Sequence, residues 1–152
     1  MKPVAIIGIG NYLMGDEGVG IHAAERLRLE KWPDDVELID GGTSGVALLH
    51  MIDKRKTVVF IDCADFGAAP GEIGVFDPEE LAMDQNTELG LHETGLLEAL
   101  TLAKQTLDDY PENIRIIGIQ PKTIDIKIGL SKEVQKAVDN LADFLFLILK
   151  NG

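Results

Sequence analysis

The run TVVFI at residues 57–61 is almost continuously apolar, rich in β-branched side chains, and ends in DCAD. A strand with one wet face alternates apolar and polar residues, so an uninterrupted run has to be buried on both faces. That is the situation of a central strand in a parallel sheet covered by helices. Residues 4–8 and 114–119 read the same way, and 36–39 form a short strand ending at Asp40. Residues 71–76 follow an Ala-Pro-Gly turn too soon for a helical crossover, which predicts an antiparallel edge strand. Helical spacing fills the intervals. Val19, Ala23, Ala24 and Leu27 form one stripe, stopped by Trp32-Pro33. Val46, Leu49 and Ile52 form a short one, and Leu96, Leu97, Leu100, Ala103 and Leu107 a longer one over residues 92–107. Ser131 is expected to cap a last helix carrying Val134, Val138, Leu141, Leu145 and Ile148. The alternation predicts one α/β domain over residues 1–152, with a mixed, mostly parallel five-stranded sheet between helical layers.

Composition narrows the function. A chain of 152 residues with 45% apolar content can bury a core without disulfides. Its net charge of −12 argues against nucleic acid and anionic membranes, which need a basic face. One Cys allows no internal disulfide and fits a reducing compartment, so the expected location is cytoplasmic. The opening MKPVAIIGIGN reads as a buried strand rather than a leader. The longest apolar run, FLFLIL at 144–149, is far shorter than the ~20 residues of a membrane span.

In open α/β sheets, ligands bind beyond the carboxyl ends of the strands. Here those ends carry Asn11, Asp16 and Glu17, then Asp40, then Asp62 and Asp65, then Gln120, with His92 expected at the start of the long helix. The loop GIGNYLMGDEGVG invites a dinucleotide reading. Against it, Leu13 replaces the third glycine, and Asp16 and Glu17 stand where a pyrophosphate would need bare backbone N–H groups. Asp16 also reads as a simple helix-start acid. Asp62, at the end of a buried strand, needs a partner or a metal. Asp65 reads as a turn residue, and His22 and His50 as surface or packing residues. Glu17, Asp62 and His92 together offer two oxygens and a nitrogen at a cleft, a set that suits nickel or zinc. Acyl-enzyme chemistry lacks its parts. Cys63 lies among acids that would raise its thiol pKa, and Ser44 is not in a GxSxG elbow.

Five elements in order, GIGNYLMGDEGVG (8–20), DGGTSGVALL (40–49), FIDCADFG (60–67), LGLHETGL (89–96) and GIQP (118–121), resemble those of the NiFe-hydrogenase maturation endopeptidases. The resemblance covers nearly the whole chain. It implies a three-layer α/β/α fold and an endopeptidase without a Ser or Cys nucleophile. That enzyme removes a C-terminal peptide from the hydrogenase large-subunit precursor. It also implies that Glu17, Asp62 and His92 contact nickel supplied by the substrate, at a site other divalent cations also fit. The acid pair is Asp-Glu where some relatives have Asp-Asp. Asp16 and Asp40 are candidate bases, and Asn11, Gly42, Thr43 and Gln120 candidate substrate contacts. A non-catalytic, nickel-dependent chaperone that checks metal insertion is the alternative reading.

Overall fold

The apolar runs line up as a sheet whose strand order decides where a site can form. The computed structural model describes residues 1–43, 45, 47–84, 86–90 and 95–151. In chain order these form β1 (Val4–Ile9), a 3₁₀ turn (Gly15–Gly18), α1 (Val19–Leu27), β2 (Val36–Gly42), α2 (Leu48–Ile52), β3 (Thr57–Asp65) and β4 (Ile73–Phe76). There follow α3 (Pro78–Met83), β5 (Glu88–Leu89), α4 (Leu96–Thr106), β6 (Asn113–Ile119), α5 (Lys132–Asp139) and α6 (Leu141–Asn151). The sheet runs β2-β1-β3-β6-β4, with β5 paired to β3 off this path. Strands β2, β1, β3 and β6 are parallel, and β4 lies antiparallel on β6 at the edge, as expected.

Because side chains alternate across a strand, one sheet feeds two cores. Ile6, Val59, Ile61, Cys63, Ile117 and Ile119 pack with α1, α5 and α6 on one face. Ala5, Ile7, Ile9, Val58, Phe60, Ile114 and Ile116 pack with α2, α3 and α4 on the other. The three layers predicted from the sequence are therefore present. Contact with the first face is closest at Gly20 in α1, where a Cβ would stand 2.1 Å from the Ile9 carbonyl oxygen and 2.4 Å from that of Ile61. Only glycine lets the helix lie this close to β1 and β3.

At the amino end of the sheet a buried guanidinium ties three elements together. Arg55 donates to the Met51 carbonyl, to the Lys2 carbonyl at 2.9 Å and to Glu37 Oε1 at 2.8 Å.

Some details differ from expectation. The sheet has a sixth strand, the two-residue β5, and α3 was not anticipated. The last helix is two: α5 ends at Asp139 and is followed by Asn140, whose side chain donates to the Lys136 carbonyl at 3.0 Å. Helix α4 starts at Leu96, with Gly95 in the left-handed region at φ 54°. Among the described residues, no helix is long and apolar enough to cross a membrane.

Candidate functional site

The chain leaves β1 toward β2 on one side and returns to place β3 on the other, so the order reverses between β1 and β3. At such a switch point the adjoining loops diverge and open a crevice at the carboxyl ends. β3 delivers Asp62 there. It shares the face of Val58 and Phe60, while its neighbour Cys63 turns into the opposite core. β1 delivers the 3₁₀ turn with Glu17.

Both Glu17 and Asp62 are buried, although the sequence suggested side chains standing at a cleft. Asp62 accepts one hydrogen bond, from the Cys63 N–H at 2.7 Å, and its Oδ2 has no partner among the described residues. Burial holds the Asp62 carboxyl well above the usual carboxylate range. The Cys63 hydrogen bond opposes that rise and the Glu17 charge adds to it. Gly90 completes the geometry. Strand β5 pairs Leu89 with Ala64, and the Gly90 N–H donates to the Cys63 carbonyl at 2.8 Å. A Cβ on Gly90 would stand 3.4 Å from Glu17 Oε1 and 3.7 Å from each Asp62 oxygen. The two carboxylates thus face one space, which a side chain at position 90 would enter.

His92, the third expected ligand, follows Gly90 by two positions and lies outside the described residues, as does Ser44. Among the described residues no group of three His, Cys, Asp or Glu side chains is placed to hold a metal.

Asp16, adjacent to Glu17, is held quite differently. Its carboxylate accepts from the N–H groups of Lys122 (2.8 Å), Thr123 (3.1 Å) and Ser131 (2.7 Å) and from Ser131 Oγ (2.7 Å). Burial alone would raise its pKa. The hydrogen bonds from Ser131, Thr123 and Lys122 outweigh it and hold the carboxyl below the usual range. Ser131 stands at the start of α5 as expected, but its hydroxyl serves Asp16 rather than capping the helix. A carboxylate engaged four times is a clasp and has little capacity left to act as a base. Asp40 is exposed at the end of β2, with Oδ1 accepting from the Gly42 N–H at 3.0 Å.

The remaining candidates divide similarly. Gln120 is a fastener: its Oε1 accepts from Phe66 N (2.9 Å) and Ala68 N (3.2 Å), and its Nε2 donates to Asp65 Oδ1 (3.0 Å). Both ends of its amide are spent on the loop after β3, which leaves little for a substrate. Asp65 is a turn residue, as read. Asn11 accepts from the Leu13 N–H, while Gly42 (φ 62°) and exposed Thr43 form the rim after β2. Cys63 is buried, and burial together with the Asp62 and Glu17 charges pushes its thiol up, which works against a nucleophilic role. His22 stacks on Tyr12 at 4.6 Å between ring centroids, and burial holds its imidazole below the usual range.

Sequence reasoning missed the Asp16–Ser131 clasp, the Gln120 fastener and the role of Gly90. Each depends on partners distant in sequence, so no local pattern announces it.

Known proteins share this sequence pattern and fold. The HycI hydrogenase maturation protease family profile matches residues 21–147. The chain is 34% identical over 153 residues to the hydrogenase expression/formation protein HupD of Thiocapsa roseopersicina, covering 93% of this chain and 68% of that protein. The chain therefore spans about two thirds of that relative's length. It superposes with a TM-score of 0.85 and 28% identity on the E. coli hydrogenase maturating endopeptidase HybD, covering 99% of this chain and 93% of that one. With the NiFe-hydrogenase maturation protease HycI of Thermococcus kodakarensis the TM-score is 0.77 at 28% identity, covering 98% and 93%. By profile, sequence and fold, the chain belongs to the hydrogenase maturation protease family, a family of peptidases.

Proposed function

We propose that this protein is an endopeptidase that removes a C-terminal peptide from the NiFe-hydrogenase large-subunit precursor. In this reading it recognises nickel carried by that substrate through Glu17, Asp62 and His92. The observation that supports it is the Oδ2 of buried Asp62, which has no partner among the described residues and faces the same space as Glu17. An unpaired buried carboxylate oxygen costs about 1–3 kcal/mol, which a fold does not need to bear unless something arrives to use it.

The residues then divide the work. Burial holds the Asp62 carboxyl above its usual range, and any proton it carries has to leave before a cation can take its oxygens, so docking would strengthen as pH rises. Asp16 keeps the turn that bears Glu17 fixed. Of the two candidate bases, Asp40 has the freer carboxylate and so keeps more capacity to take a proton from an attacking water. Asn11, Gly42 and Thr43 rim the approach to the cleft. A cytoplasmic location suits the reading, since the precursor would be met before it is assembled.

The test is cleavage of purified precursor, read as the mass of the large subunit. Nickel-loaded precursor should be shortened and metal-free precursor left intact. Equal cleavage of both overturns recognition through nickel. Tight, nickel-dependent binding without any cleavage overturns the peptidase and leaves a chaperone that checks metal insertion.

A further inference from the structure

Beside the candidate site lies a surface that the chemistry above does not use. Residues 121–130, PKTIDIKIGL, connect β6 to α5. Ile124 and Leu130 pack onto the core, while Ile126 and Ile128 between them are 87% and 64% exposed. Leu13, four residues before Glu17, is 57% exposed. Backbone pairing brings the two segments that carry these side chains together: the Lys127 N–H donates to the Leu13 carbonyl (3.0 Å), and the Gly15 N–H donates to that of Lys127 (2.9 Å). Met14 and Lys127 form a parallel bridge.

This segment is not a loose loop. Asp16 binds both of its ends, through Lys122 and Thr123 at one and Ser131 at the other, and the Asp16 N–H donates to the Thr123 carbonyl at 3.1 Å. One residue therefore fixes the exposed apolar side chains against the turn that carries Glu17. Exposed isoleucines on a well-tied segment mark a contact surface rather than slack. Charge agrees. Within a chain of net charge −12, residues 121–130 carry two Lys and one Asp, with Lys122 paired to Glu133 at 2.8 Å, so the segment is close to neutral and suits an apolar occupant.

We propose that Leu13, Ile126 and Ile128 form the docking surface for the protein substrate, with Asp16 and Ser131 as positioning residues that hold it beside the Glu17 turn. The occupant is an apolar stretch of the substrate protein reaching the cleft across this rim. The surface is continuous with the site, and the inference rests on the reading that the substrate is a protein cleaved there. Preorganisation matters because a contact surface that must first be ordered binds more weakly.

The experiment measures binding of nickel-loaded precursor to the whole protein, alongside cleavage. The Ile126→Ser, Ile128→Ser double variant alters only exposed side chains. It should weaken precursor binding about tenfold or more and raise KM accordingly, with kcat and thermal midpoint unchanged. Ser131→Ala should raise KM in the same sense and speed backbone hydrogen exchange across residues 122–128. Unchanged affinity and KM in the double variant overturn the proposal and leave the peptidase reading intact. A wild-type protein that binds precursor but does not cut it retires the peptidase and not the docking surface. If wild type is a dimer that the double variant turns into monomers, the surface is a self-interface and the proposal fails.

Discussion

Two ionisable groups are buried at opposite ends of the sheet, and the fold treats them in opposite ways. At the amino end, Arg55 has three acceptors within reach, two of them carbonyls and one the Glu37 carboxylate. At the carboxyl end, among the described residues, Asp62 has one donor and an oxygen with no partner. A buried charge with partners helps hold a fold together, whereas one without them works against it. The amino end of the sheet is finished for stability. The carboxyl end is left incomplete, and the function proposed above puts the substrate there.

That contrast breaks most sharply at Asp62. Asp62→Asn keeps the shape and removes the charge. It should cut precursor cleavage about 100-fold or more while raising stability, read as product mass and as a urea midpoint. Loss of activity with loss of stability would place Asp62 with Arg55. Next in size is Arg55→Met, which should cost about 3 kcal/mol in urea unfolding and leave cleavage per folded molecule unchanged. Glu37→Gln should cost less than about 1 kcal/mol, because Glu37 is half-exposed.

Titration separates the two neighbouring acids of the carboxyl end. The folded pKa of Asp62 lies above its unfolded value. Its carboxyl therefore favours the fold below about pH 4, and that advantage is lost as pH rises. The thermal gain of Asp62→Asn should therefore be small near pH 4 and grow toward pH 7.5. Asp16 has the opposite sign. Its lowered pKa stabilises the fold above about pH 4, and the contribution is lost on acidification. Asp16→Asn should thus be destabilising by about 1–2 kcal/mol at pH 7 and nearly neutral in acid. Parallel pH profiles for the two variants would erase the distinction between clasp and site. The smallest effect belongs to Cys63→Ala, which should retain cleavage within about twofold, and thiol-directed reagents should not block turnover.

What the sequence discloses follows from how local each feature is. The strands were readable because burial on both faces leaves long apolar runs, and β4 was placed as an antiparallel edge by its short connection alone. Glu17 and Asp62 were readable because carboxylates at strand ends stand out against apolar surroundings. Helix α3 does carry a local signal: Asp77 and Glu80 bracket Pro78 in a capping box, with the Asp77 N–H donating to Glu80 Oε1 at 3.1 Å. Asp16 and Gln120 could not be assigned from sequence. Their partners lie up to 115 residues away, and an acid that clasps a loop looks the same in one dimension as an acid that serves as a base.

Gly20 has a consequence for anyone searching this protein by random mutagenesis. Its missing side chain is all that separates α1 from the carbonyl oxygens of Ile9 and Ile61, so even alanine there drives the helix off the sheet. In a selection scored by hydrogenase maturation, Gly20 and Asp62 would be equally intolerant, and a map of dead variants would paint them the same colour. Dividing each variant's output by its abundance pulls them apart. Gly20 substitutions should vanish from the folded pool, while Asp62 substitutions should accumulate in it, plentiful and silent.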